Sequence, residues 1–154
     1  MIRPYSFLAL CCLVLNLLGC GKSDPYIVRE TTTAFLAASN TGDRAAFIGH
    51  MTKAAQAKMD SPEGKAFNIN AKSATPYAVG KPVISENAAE IPVSSKDVKG
   101  NPIEGMVKLN REDGVWRVWS MTIALPQTGM PINLDFEHPE TFSGEMIKAM
   151  GAKP

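Results

Sequence analysis

The apolar positions fall into two regimes along the chain. Between Asp24 and Asp60 they recur at helical spacing, and between Ala74 and Ala124 the period drops to two. Asp24-Pro25 has the composition of a helix start: an acceptor side chain at the N-cap, then a proline at the first helical position, where its missing N–H costs nothing. Val28, Thr32, Phe35, Leu36 and Ser39 then share one face until Asn40-Thr41-Gly42 ends the pattern. Asp43 predicts a second, short helix holding Phe47 and Ile48, and Thr52 a third running through Ala55 and Met59 to Asp60. Ser61-Pro62-Glu63-Gly64 reads as the break after it.

The alternating region predicts four strands, roughly Pro76 to Ser85, Ala88 to Ser95, Ile103 to Arg111 and Val115 to Ala124. They are joined at Glu86-Asn87, at Lys96 to Pro102 and at Glu112-Asp113-Gly114, the spacing of an antiparallel meander. Pro82 and Pro92 cannot donate to a ladder, so the first two strands must be edges, bulged or short. The last hairpin has two registers. A two-residue Asp113-Gly114 turn sets Leu109 opposite Val118 and Val107 opposite Ser120, with Trp116 on the apolar face. A three-residue Glu112-Asp113-Gly114 loop sets Val107 opposite Trp119 and Ile103 opposite Ile123, and brings Met121 over the gap at Gly105. The second gathers more apolar residues on one face, with Arg117 as its polar guest, and is the expected one.

Beyond Ala124 the chain is rich in Pro and Gly. One alternating stretch, Ile132 to Glu137, suits a further short strand, and Phe142, Met146, Ala149 and Met150 fall at helical spacing before Gly151. The predicted class is therefore α+β: N-terminal helices packed on a curved four-stranded antiparallel meander over residues 24–124, then an extension, 125–154, ending in a short helix.

The N-terminus reads as an address. Arg3 precedes an almost unbroken apolar run from Phe7 to Leu18, which is shorter than the ~20 residues a resident spanning helix needs. Leu17-Leu18-Gly19-Cys20 closely resembles the bacterial lipobox. The resemblance implies removal of residues 1–19, a diacylglyceryl thioether on Cys20, and anchoring by two or three acyl chains. Gly21, where retained inner-membrane lipoproteins carry Asp, points to the outer membrane. Only Gly21, Lys22 and Ser23 separate the anchor from the first helix, about 10 to 14 Å when extended, so the domain is expected against the membrane surface.

Composition narrows the functions. Sixteen Lys and Arg face fifteen Asp and Glu, a balance that excludes a basic nucleic-acid binder. Cys11 and Cys12 leave with the signal, so the cut chain keeps Cys20 alone, with neither a disulfide nor a free thiol nucleophile. A chain of this size with 45% hydrophobic residues buries enough surface for a core without either disulfide or metal.

Motifs that carry chemistry are few. Leu125-Pro126-Gln127-Thr128-Gly129 matches the LPXTG pattern cut by sortases, but no apolar stop segment or basic tail follows directly, and a turn is the better reading. Asp135, Glu137, His138 and Glu140 collect metal-ligating types, yet alternation puts Asp135 and Glu137 on a solvent face and no spaced His or Cys signature supports a metal. His50 has no identifiable carboxylate partner for base catalysis. Met146 and Met150, four apart, fit core filling better than Cu(I) ligation. No P-loop, G-x-G-x-x-G, H-E-x-x-H, C-x-x-C or G-x-S-x-G occurs, and no cofactor is implied.

Helices followed by a meander with Asp113-Gly114-Val115-Trp116-Arg117-Val118 in its last long strand look like the nuclear transport factor 2-like, cystatin-like roll. In that family the sheet wraps over the helices into a cone whose mouth binds small molecules or partner proteins. The acid, histidine or tyrosine set of its enzymes has no match here. The resulting expectation is a lipid-anchored, non-enzymatic envelope domain for a small apolar ligand or an envelope protein, with Phe35, Arg117, Trp119 and Met121 as candidate pocket lining. Arg117 would orient an anionic ligand. The rivals are an isomerase or dehydratase of the same roll, with His50 or a carboxylate as base, and a homo-oligomeric structural lipoprotein, of which a homodimer is the simplest form.

Overall fold

Four helices precede a six-stranded antiparallel sheet in the computed structural model, which describes residues 23–67, 75–124 and 131–142. The helices are α1 (Asp24–Thr41), α2 (Arg44–Gly49), α3 (Lys53–Met59) and α4 (Pro62–Ala66). The strands are β1 (Ala78–Val79), β2 (Val83–Ser85), β3 (Ala88–Lys96), β4 (Pro102–Glu112), β5 (Val115–Ala124) and β6 (Pro131–Asp135). The sheet order is β1-β3-β4-β5-β6, with β2 beside β1 on the same flank of β3. Residues 1–22, with the expected signal and Cys20, residues 125–129, expected as a turn, and Met146 and Met150 of the expected terminal helix lie outside the described residues.

The helix signals act much as the sequence predicts. Asp43 Oδ1 accepts the Ala46 N–H and Thr52 Oγ1 the Ala55 N–H, each occupying a donor that its helix leaves unpaired. Gly42, at φ 73°, closes α1, and the Asp43 N–H reaches back to the Ala38 carbonyl. Two expectations are corrected. The N-cap of α1 is Ser23, and the Asp24 carboxylate turns to the sheet instead, taking the Trp116 Nε1–H at 3.2 Å. Ser61-Pro62 starts α4, because a serine acceptor before a proline begins a helix as readily as it ends one, and Ser61 Oγ accepts the Gly64 N–H.

The four expected strands become six. Gly80-Lys81-Pro82 splits the first into β1 and β2, and the broken edge also resolves Pro92. The Pro92 carbonyl accepts the Gly80 N–H, so its donorless nitrogen faces the same gap, where no ladder bond is lost. The sixth strand, β6, pairs along the second half of β5.

The hairpin register differs from both uninterrupted alternatives. The turn is the two-residue Asp113-Gly114, with φ of 50° and 81°, the backbone a type I′ turn requires. Leu109 pairs with Val118, but the register shifts at Lys108 and Val107 pairs with Met121. Trp119 is the extra residue of a β-bulge. The three-residue loop would have turned Arg117 inward and Val118 outward. The bulge instead lets Val118 and Met121, three residues apart, both face the helices. Across the sheet this aligns the apolar rows Ala89-Leu109-Val118, Ile91-Val107-Met121-Leu134 and Val93-Gly105-Ile123-Ile132.

The C-terminal segment completes the core. Phe136 and Phe142 join Phe35, Phe47 and Phe67 in one aromatic cluster, with Phe136 within 5.8 Å of both Phe35 and Phe47, edge to face. Phe136 is 1% exposed. Truncating it to Ala should cost about 3–5 kcal/mol, read as a lower urea midpoint. An unchanged midpoint would mean the last strand is not part of the cooperative core.

Candidate functional site

The groove beside α1 follows from what that helix does not bury. Val28, Thr32, Phe35, Leu36 and Ala38 face the sheet, while the flank formed by Tyr26, Thr33, Ala34 and Ala37 is left to the outside. Small side chains make that flank a trough. The interrupted sheet edge supplies the other wall, Gly80-Lys81-Pro82, and cannot close over the helix because its strands are only two and three residues long. The result is an open groove of about 790 Å³ lined by Pro25, Tyr26, Arg29, Glu30, Thr33, Ala34, Ala37, Gly80, Lys81 and Pro82. A smaller hollow of about 210 Å³ continues past Thr33 and Ala37 to Leu36, Asn40, Thr41, Pro76 and Tyr77. Burial raises the Tyr77 phenol above its ordinary pKa, so it stays neutral.

The floor is small and apolar, and the rim is charged. Arg29 reaches from α1 to β1, its Nη2 3.4 Å from the Val79 carbonyl, and Lys81 stands on the loop opposite, with Glu30 on the helix side. Such a site suits a thin apolar body with an anionic or polar end. The chain matches no protein-family model and no curated protein.

The four residues expected to line a pocket are not brought together. Phe35 and Met121 lie in the core under the helices, at 0% and 5% exposure. The Trp119 ring is on the opposite face of the sheet, with the Lys108 ammonium 5.8 Å from its centre. Arg117 has a structural task at the end of α2, outside the groove. Its Nη1 donates to the Gly49 carbonyl at 3.1 Å, closing the C-terminus of α2, and lies 3.4 Å from that of Met51. Residues 50–52 run parallel to β5 there, the Val118 N–H bonding His50 O and the Thr52 N–H bonding Val118 O. Glu112 Oε2 accepts the Lys53 N–H and lies 3.9 Å from Arg117 Nε.

The remaining candidates are held in local contacts. Glu137 lies past the end of β6, not on a strand face, and accepts the buried Thr52 hydroxyl at 2.7 Å. The Asp135 carboxylate accepts the Glu137 N–H, and His138 Nδ1 is 3.0 Å from Glu140 Oε1. Among the described residues no three His, Cys, Asp or Glu side chains converge. Sequence reasoning missed Tyr26, Arg29 and Lys81. The available signals were the small residues Thr33, Ala34 and Ala37 on one flank of the helix and the Gly80–Pro82 break.

Two outcomes follow from the Arg117 clamp. Arg117→Met should destabilise the domain by about 1–3 kcal/mol, since two carbonyls lose a charged donor; denaturant unfolding checks this, and an unchanged midpoint contradicts it. His50 carries the second. Burial, then the Arg117 charge, hold its pKa below the ordinary histidine value. The unfolded chain therefore binds the proton more readily than the folded one, so stability is full above about pH 6.5 and falls as the pH drops below it. His50→Gln should flatten that slope, and an equal slope in the variant would place its origin elsewhere.

Proposed function

We propose that this chain is a bacterial envelope lipoprotein, held at the outer membrane by a diacylglyceryl group on Cys20, whose folded domain binds a small apolar ligand without catalysing a reaction. Leu17-Leu18-Gly19-Cys20 supports the anchor, and Gly21 after the cysteine supports the outer membrane. Helices packed on one face of an antiparallel sheet, with Asp113-Gly114 opening the long strand β5, support a nuclear transport factor 2-like, cystatin-like roll.

The groove beside α1 carries the reading. It is elongated, open along one side and floored by Pro25, Ala34, Ala37, Gly80 and Pro82, so a slender apolar chain gains contact along its length. Arg29 and Lys81 on the rim favour a ligand whose end accepts hydrogen bonds, such as an ester, carboxylate or phosphate.

A chain starting at Gly21, without signal or anchor, should stay out of the membrane fraction and bind dodecanoate as a probe of the groove. Ala34→Trp fills the trough and should weaken that binding by about tenfold or more, roughly 1.4 kcal/mol, with the unfolding midpoint held. Native mass spectrometry before and after denaturation reads both. A Gly21-start chain that takes up no acyl probe, or an Ala34→Trp variant that binds equally well, would refute the groove as the binding site.

A further inference from the structure

We propose that the occupant of the α1 groove is one acyl chain of the protein's own Cys20 anchor, held there while the protein is away from a bilayer and released when it meets one. The inference rests on the anchor and groove reading above and names the ligand. Its first support is where the chain outside the structure ends. Ser23 is the first described residue, and three residue steps, about 10 Å, connect it to Cys20. Pro25 and Tyr26, in the first turn of α1, form the near end of the groove. The glyceryl group therefore enters at the mouth. From Pro25 to Ala37 the helix rises about 18 Å, so the trough runs away from the anchor in the direction an attached chain extends.

Tethering supplies the second support. A group on so short a linker presents itself at an effective concentration on the order of millimolar, ahead of any free lipid in an aqueous compartment. The trough also has room for a slender chain, because Thr33, Ala34 and Ala37 on its helix side are small. Release follows from the groove being open. One side of a bound chain still touches water, whereas a bilayer removes water from all sides, so the chain moves to the membrane when one is available. The domain then shields part of its anchor in transit and yields it on arrival.

Ala37→Cys in the lipidated, signal-cleaved protein tests this. The Cys20 sulfur is occupied as a thioether, so position 37 carries the free thiol, and a water-soluble maleimide reports its access. In detergent-free buffer, labelling should be at least about tenfold slower than after adding phosphatidylethanolamine and phosphatidylglycerol vesicles. Ala54→Cys, on the exposed side of α3, should label equally in both and controls for aggregation. Intact mass of the same sample registers the lipid. Equal Ala37→Cys rates with the lipid mass present would overturn the inference, while protection of Ala37→Cys by dodecanoate in a chain starting at Gly21 would leave the groove reading standing. Labelling that stays slow with vesicles would overturn the release. A missing lipid mass would overturn the anchor and this inference together.

Discussion

Strand β5 must satisfy two partners along one edge, and the bulge at Trp119 is how it does so. Up to Val118 its free side bonds residues 50–52, running parallel; from Trp119 onward the same side bonds Phe136 and then β6, running antiparallel. A strand with strict alternation would carry Trp116 and Val118 on one face and Met121 and Ile123 on the other. The extra residue resets the alternation where the partner changes, so all four serve the same core. An unbroken strand would send half of that apolar set to solvent.

The position of the helices depends on that register. With Trp116 turned inward, its indole N–H meets Asp24, and Arg111, its cross-strand partner, approaches the same carboxylate at 3.3 Å. The first turn of α1 is thereby tied to the β4–β5 hairpin, which sets where the chain leaves toward Cys20 and where the groove opens. With Arg117 turned outward, its guanidinium reaches the end of α2. One residue's insertion thus aligns the three apolar rows, the start of α1 and the clamp on α2.

Much of this is legible in the sequence where a local interaction decides it. Asp43, Thr52 and Gly42 act through neighbours one turn away, and the helix ends fall where those residues predict. The strand-breaking effect of Pro82 and Pro92 is equally local. The bulge is not, because Trp116 and Trp119 are both good core residues and only the change of partner beside Val118 chooses between them. The pocket residues suffer from the same gap. Phe35 and Met121 were apolar at core-facing positions and are core, whereas the groove is made by small and charged residues on two segments some fifty positions apart, which no periodicity links. Arg117 illustrates a further limit: a lone cation in an apolar strand suggests a ligand, and its partners are backbone carbonyls that a sequence does not display.

The register of β5 carries the whole account, and side-chain nuclear Overhauser contacts of Val107 test it directly. With Trp119 bulged, the Val107 methyls should contact Met121 and Ile91, Leu109 should contact Val118, and the Trp119 ring should lie close to Lys108 instead. Contacts between Val107 and the Trp119 ring would restore an unbroken β5 with a three-residue loop, turn Trp116 away from Asp24, and remove the basis for the groove's position.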